Sequence, residues 1–189
     1  MTILRKHVSR FSLLAVVSLL LVACGATQKA SMDKTEPAKA MTAMEIYEVH
    51  HEGRIHVFYD RKLYQEFLDL GETPYRLTRI GAGPNGETIV FGLTKDDKKK
   101  PDTVEAIKLY DNKAKNPELL YAEMRRHGRV YIFDRFEDMQ PVRQFGHPNF
   151  FYTEIGAGPS GETVVYVLNK GNKKSRPDAL IARYKSFNS

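Results

Sequence analysis

An internal repeat restricts the fold of this chain more than any other feature of its sequence. Residues 53–100 align with residues 128–175 at a shift of 75, and 19 of the 48 aligned pairs are identical. Ten of those identities lie within residues 78–90 and their counterparts at 153–165. Duplication explains such similarity, and it predicts that both copies follow one order of helices and strands.

Each copy shows the same succession of structural signals. Two strands flank a Gly-Arg turn, and a short helix, a third strand, a glycine-rich loop, an apolar fourth strand and a second helix follow. The predicted fold class is therefore α+β, with two tandem ββαββα repeats of about 75 residues at 44–116 and 117–189. We expect them to pack as a pseudo-twofold domain with antiparallel sheets and helices to one side.

The glycine-rich loop of each copy has the spacing G-x-G-x-x-G, which admits two interpretations. A nucleotide-binding loop opens a helix and, in the Walker form, carries a lysine, whereas here an apolar strand follows and Glu87 or Glu162 takes the lysine position. A β-hairpin with left-handed glycines explains the same residues better. We therefore expect no cofactor and predict structural turns at Gly81, Gly83, Pro84, Gly86, Gly156, Gly158, Pro159 and Gly161.

The first copy contains a candidate metal site beside its first turn. Strand alternation places Glu48, His50 and Glu52 on one face, with His56 across the turn. Imidazole and carboxylate groups suit zinc or a similar ion. The second copy lacks this set, and exposed polar residues on an edge strand are the alternative interpretation.

Lysines recur after the fourth strand of both copies, as Lys98 and Lys99 in the first and Lys173 and Lys174 in the second. Solvated turn lysines are one interpretation of this pattern. The other is a pair of basic clusters that face an anionic partner, such as lipid phosphates or an acidic wall polymer. Because the duplication retained the lysines and not the histidines, the lysines are the preferred binding candidates.

The N-terminus carries a secretory signal. Arg5, Lys6 and Arg10 precede an apolar run at 11–22, which is too short for a membrane span of about 20 residues. The sequence Leu-Val-Ala-Cys at 21–24 resembles the lipobox of bacterial lipoproteins.

This resemblance implies acylation of Cys24, cleavage of residues 1–23 and anchoring to a membrane by lipid. Gly25, in place of the aspartate that marks inner-membrane retention in enterobacterial lipoproteins, favours the periplasmic face of the outer membrane. Residues 24–43 lack periodic apolar residues and are predicted to be a flexible tether.

Composition limits the remaining functions. Cys24 is the only cysteine and Ser160 has no evident histidine partner, so we expect no enzymatic activity. The signal contains three basic residues and no acidic ones, and its removal lowers the formal charge from +6 to +3, which does not indicate nucleic-acid binding. The expected function is a non-enzymatic envelope lipoprotein that binds or scaffolds another envelope component. The alternative is a periplasmic lipoprotein that binds a small ligand or a metal.

Overall fold

The computed structural model of the protein describes residues 43–188, in which eight strands form one mixed sheet. The predicted signal peptide, Cys24 and nearly all of the predicted tether lie outside this range. In chain order the elements are β1 (Met44–His51), β2 (Arg54–Phe58), α1 (Arg61–Leu70), β3 (Arg76–Arg79), β4 (Thr88–Gly92), α2 (Glu105–Tyr110), β5 (Leu120–Arg126), β6 (Arg129–Phe133), α3 (Met139–Phe145), β7 (Phe150–Glu154), β8 (Thr163–Leu168) and α4 (Asp178–Asn188). Within the described range, every helix is too short or too polar to span a membrane.

The predicted fold class, two tandem ββαββα repeats forming an α+β domain with antiparallel sheets, is wrong. The strands follow the order β3-β4-β2-β1-β5-β6-β8-β7 in a single sheet. At its centre β1 pairs with β5 in parallel, with Met44 opposite Leu120 and Val49 opposite Arg125. The pairs β2 with β4 and β6 with β8 are also parallel. One mixed sheet therefore replaces the expected antiparallel ones.

Helices cover both faces of this sheet, and not one side as expected. One core cluster packs under α2 and α3, and the other packs under α1 and α4. Equivalent residues, 75 positions apart, fall in opposite clusters. Ile55 and Val130 are one such pair, and Phe67 and Val142 are another. This exchange of faces follows from the parallel pairing of β1 with β5. A rotation by half a turn about an axis along these strands brings each half onto the other, and such a rotation also exchanges the two faces of the sheet.

Local sequence explains the bounds of α1. The Asp60 side chain caps its first turn by accepting from the Leu63 amide at 3.0 Å. Gly71 ends it in the left-handed conformation, with φ of 78° and its amide bonded to the Phe67 carbonyl at 2.8 Å. The helix buries Leu63, Tyr64 and Phe67 against the sheet, which places Tyr64 above the central strands.

Candidate functional site

Each of the two central strands carries one buried glutamate. Glu48 on β1 is 0% exposed and Glu123 on β5 is 1% exposed. The two positions are 75 residues apart, and their side chains lie on opposite faces, because Glu48 pairs with Met124 while Tyr47 pairs with Glu123. A buried carboxylate is costly unless it is paired and hydrogen-bonded, so the groups around each glutamate define the chemistry of the domain centre.

Glu48 is neutralised by an arginine from α3. The Arg143 guanidinium donates to the Glu48 carboxylate from Nε at 2.7 Å, and its Nη2 lies 2.6 Å from the same oxygen. Tyr110 also donates to this carboxylate, and His50 lies 3.0 Å from its other oxygen. Burial alone would raise the pKa of Glu48, but the charge of Arg143 and the hydrogen bond with His50 lower it to about 2.

Glu123 is neutralised differently, by an arginine on its own strand. Arg125 Nε lies 3.5 Å from the carboxylate, and Tyr64 and Tyr121 both hydrogen-bond to it. Arg125 also donates to the Glu162 carboxylate at 2.6 Å and to the Tyr64 hydroxyl at 2.7 Å. Burial and the charge of Glu123 raise the pKa of Tyr64, so its hydroxyl stays protonated and can donate.

A cavity of about 550 Å³ opens beside the Glu123 cluster. Glu123 and Tyr64 line it, together with Arg61, Leu68 and Asp69 of α1 and Pro159 of the second glycine-rich loop, among others. The Arg61 guanidinium lies 4.8 Å from the centre of the Phe187 ring and has no carboxylate partner among residues 43–188. It is therefore an available positive charge at the wall of a partly apolar cavity.

The corresponding space beside Glu48 is much smaller, about 170 Å³. Phe136 and Arg143 line it, at the positions equivalent to Arg61 and Leu68. The Arg143 guanidinium lies over the rings of Tyr110, at 4.6 Å, and Phe136, at 4.7 Å, which contact each other edge to face. Two related positions thus fill the space in one half and leave it open in the other.

The groups that line the open cavity can be compared with what catalysis and binding each require. Glu123 already accepts from two tyrosines and faces Arg125, so it is not poised as a general base. Ser160 at the rim uses its amide to donate to Glu162 at 2.7 Å, and no histidine lines the cavity. The rest of the lining includes Arg61, aromatic rings and the Asp69 carboxylate, and Arg61 together with the rings suits a ligand that has an anionic group.

The predicted metal residues do not come together. Glu48 and His50 are hydrogen-bonded on one face, but His56 lies on the other face with its ring 4.5 Å from that of Phe67. Glu52 is in the exposed turn with φ of 49° and contacts His51 and Arg54. Among the described residues no group of three or more His, Cys, Asp or Glu side chains could hold a metal ion.

The glycine-rich loops are β-hairpin turns that join β3 to β4 and β7 to β8. Positive φ angles of 67° to 83° occur at Gly81, Gly86, Gly156 and Gly161. Glu87 folds over its own loop and accepts from the Asn85 amide at 2.8 Å, and Glu162 does the same with Ser160. A Cβ on Gly83 or Gly158 would lie 2.6 Å or 2.5 Å from these glutamates, which explains small residues there beside Pro84 and Pro159.

The four predicted lysines are exposed and lie at opposite edges of the sheet. Lys98 Nζ is 4.2 Å from the centre of the Tyr75 ring, and Lys173 Nζ is 4.4 Å from that of Phe150. Lys99 forms an ion pair with Asp96 at 3.8 Å. The recurrence of Lys98 and Lys173 therefore accompanies a recurring cation–π contact.

Sequence reasoning did not single out Glu123, Arg143, Tyr64 or Arg61. One signal was present, because Glu48 and Glu123 are equivalent acidic positions, each with an apolar or aromatic residue on either side in the sequence. Arg143 and Tyr64 come from helices of the other half of the chain, and no local pattern links them to these glutamates. Comparison of the chain with protein-family models, with curated proteins and with solved structures found no match.

Proposed function

We propose that this protein is a lipid-anchored, non-enzymatic component of the bacterial envelope, placed by Cys24 at the periplasmic face of the outer membrane, and that its domain binds a small envelope molecule. The lipobox-like sequence at 21–24 supports the anchoring. The observation that carries the binding role is the asymmetry between the open cavity and its filled counterpart, about 550 Å³ against 170 Å³.

Geometry favours this small-ligand form over a scaffold that acts through its lysines. A cavity of several hundred cubic ångströms is the usual size for a site that holds a small molecule. Arg61 supplies a guanidinium without a carboxylate partner, while Tyr47, Tyr64 and Phe187 supply aromatic surface. The ligand class that fits these groups is a small molecule with a carboxylate or phosphate beside an apolar or aromatic part.

Thermal shift and calorimetric titration of the mature chain with benzoate and N-acetylphenylalanine test this role. Wild-type protein should bind these aromatic carboxylates, and benzylamine, which has the opposite charge, should not bind. Arg61→Gln should weaken binding at least tenfold, because a charge-assisted hydrogen bond contributes about 1.5–3 kcal/mol. Arg61→Phe, which copies the residue at position 136, should also fill the cavity.

Arg183→Gln is the matched control for these variants. Its guanidinium also lies near the Phe187 ring, at 5.9 Å, but Arg183 does not line the cavity. Equal binding by wild type, Arg61→Gln and Arg61→Phe would locate the ligand elsewhere. If the wild type binds neither carboxylate, the small-ligand role is wrong, and a scaffold that binds another envelope component is the remaining proposal.

A further inference from the structure

The start of β1 and both lysine-rich loops lie at the same end of the sheet. β1, which follows the predicted tether, begins at Met44 and is parallel to β5. β1 and β2 are antiparallel, and β2 is parallel to β4, so the start of β1 lies at the end where β4 finishes. β5 and β6 are antiparallel and β6 is parallel to β8, so β8 also finishes at this end of the sheet. The loops at 94–102 and 169–178 begin there.

These two loops are the positive part of the domain. They contain eight basic and four acidic side chains, a formal charge of +4, whereas the remaining residues between 43 and 188 sum to −2 with histidine neutral. The acidic groups in the loops are engaged by neighbours. Asp97 accepts from Tyr59 and Thr94, Asp102 pairs with Arg79 at 3.6 Å, and Asp178 pairs with Arg176.

The lysines are held in position and span a broad surface. The rings of Tyr75 and Phe150 hold Lys98 and Lys173 in equivalent places, one at each edge of the sheet. β4 and β8 are five strand positions apart in the sheet order, which corresponds to roughly 24 Å. The point where the tether enters, at β1, lies between them.

We propose that this end of the domain faces the membrane and docks on anionic lipid headgroups through Lys98, Lys99, Lys173 and Lys174. The orientation rests on the proposed anchoring at Cys24. The 19 residues between Cys24 and Met44 would have a root-mean-square reach of about 25 Å as a flexible chain, so the lysine-bearing end can reach the headgroups of the membrane that holds the lipid. The lipid would supply attachment, and the lysines would fix which surface of the domain lies against the bilayer.

Vesicle binding by the mature chain with Cys24→Ser tests the docking separately from the anchoring. This chain should bind vesicles of phosphatidylcholine mixed with phosphatidylglycerol, should bind pure phosphatidylcholine weakly, and should lose affinity as salt is raised. Each lysine near an anionic surface contributes roughly a fivefold change in affinity. Lys99→Gln with Lys174→Gln should therefore weaken binding about tenfold or more while keeping both cation–π contacts.

Arg54→Gln with Arg129→Gln is the matched control. It also removes two exposed charges at positions 75 residues apart, but β2 and β6 begin with these residues at the opposite end of the strands. Its affinity should stay within about twofold of the wild type.

Equal effects of the two pairs of substitutions, or no binding to the anionic vesicles, would overturn the docking whether or not Cys24 is acylated. If the lysine pair affects binding to purified cell wall and not to vesicles, a wall polymer is the partner and the proposal is wrong.

Acylated wild type and lysine-pair variant in the same vesicles provide a second readout. Lys100 and Lys170 should be protected from a water-soluble, amine-reactive reagent in the wild type, and they should react with it in the lysine-pair variant.

Discussion

Arg143 offers the sharpest test of the energetics at the centre of the sheet. It is 4% exposed and supplies the positive charge that keeps the fully buried Glu48 ionised. Arg143→Met preserves much of the side-chain volume and leaves an uncompensated carboxylate in the core. Removing one partner of a buried ion pair typically destabilises a protein by about 3–5 kcal/mol, so the variant should lose a large fraction of the free energy of unfolding.

The pKa of Glu48 gives an independent magnitude and a direction with pH. Its fall from 4.5 to about 2 on folding corresponds to about 3 kcal/mol. Because the folded pKa is depressed, this contribution is fully present above pH 4.5 and is lost as pH falls toward 2. In Arg143→Met the burial of Glu48 dominates and its folded pKa rises above 4.5, so the penalty should shrink as pH falls from 7 to 4.

Urea unfolding of the mature chain, followed by far-ultraviolet circular dichroism at several pH values, measures both effects. The chain has no tryptophan, which makes circular dichroism preferable to fluorescence. Combining Arg143→Met with Glu48→Gln removes the unpaired charge and should recover stability relative to Arg143→Met alone. Arg79→Met is the control, since that side chain is 33% exposed and its pairs with Asp102 and Asp111 should contribute no more than about 1 kcal/mol.

Two results would refute the reasoning. One is a loss below about 1 kcal/mol for Arg143→Met at pH 7. The other is a double variant no more stable than the single one, which would mean that the lost packing of Arg143 on Tyr110 and Phe136, and not the charge of Glu48, controls the stability.

Two further predictions concern the turns and the anchor. Gly86→Ala and Gly161→Ala should each lower the free energy of unfolding by about 1 kcal/mol or more, because φ values of 83° and 81° are strained for a residue with a Cβ. Equal stability of the wild type and both variants in urea would contradict this prediction. Cys24→Ser should yield a product without acyl mass and without cleavage after Ala23, and intact-mass measurement of membrane-extracted wild type that shows an unmodified cysteine would refute the lipobox interpretation.

Elements with strong local signals could be predicted from the sequence. The apolar fourth strand predicted in each copy corresponds to β4 (Thr88–Gly92) and β8 (Thr163–Leu168). The glycine spacing favoured a hairpin over a nucleotide loop, and Gly86 and Gly161 have the positive φ that such a turn requires. These features depend on residues close in the chain, and backbone sterics and periodicity act at that range.

The architecture could not be predicted in the same way. Pairing of β1 with β5 joins residues about 75 positions apart, and no local pattern specifies whether such strands lie parallel, antiparallel or in separate sheets. That one pairing decides the rest, because it makes a single sheet and puts helices of equivalent sequence on opposite faces. The metal hypothesis failed for a related reason, since His56 pairs with Val49 and therefore shares a face with Phe67 and not with Glu48.

The open cavity has a physical origin in how each half neutralises its buried glutamate. Glu48 takes its positive charge from Arg143 on α3, whereas Glu123 takes it from Arg125 on its own strand, at the position where the first half has His50. With the charge supplied from the strand, the equivalent helix position no longer needs an arginine, and Leu68 stands there at the cavity wall. Phe136 packs on Arg143, and the equivalent residue 61 has no such arginine to pack on. Residue 61 is an arginine whose guanidinium faces the cavity without a carboxylate partner in the described chain. Moving the arginine from helix to strand thus frees two helix positions to change, and the space is about 550 Å³ beside Glu123 against 170 Å³ beside Glu48.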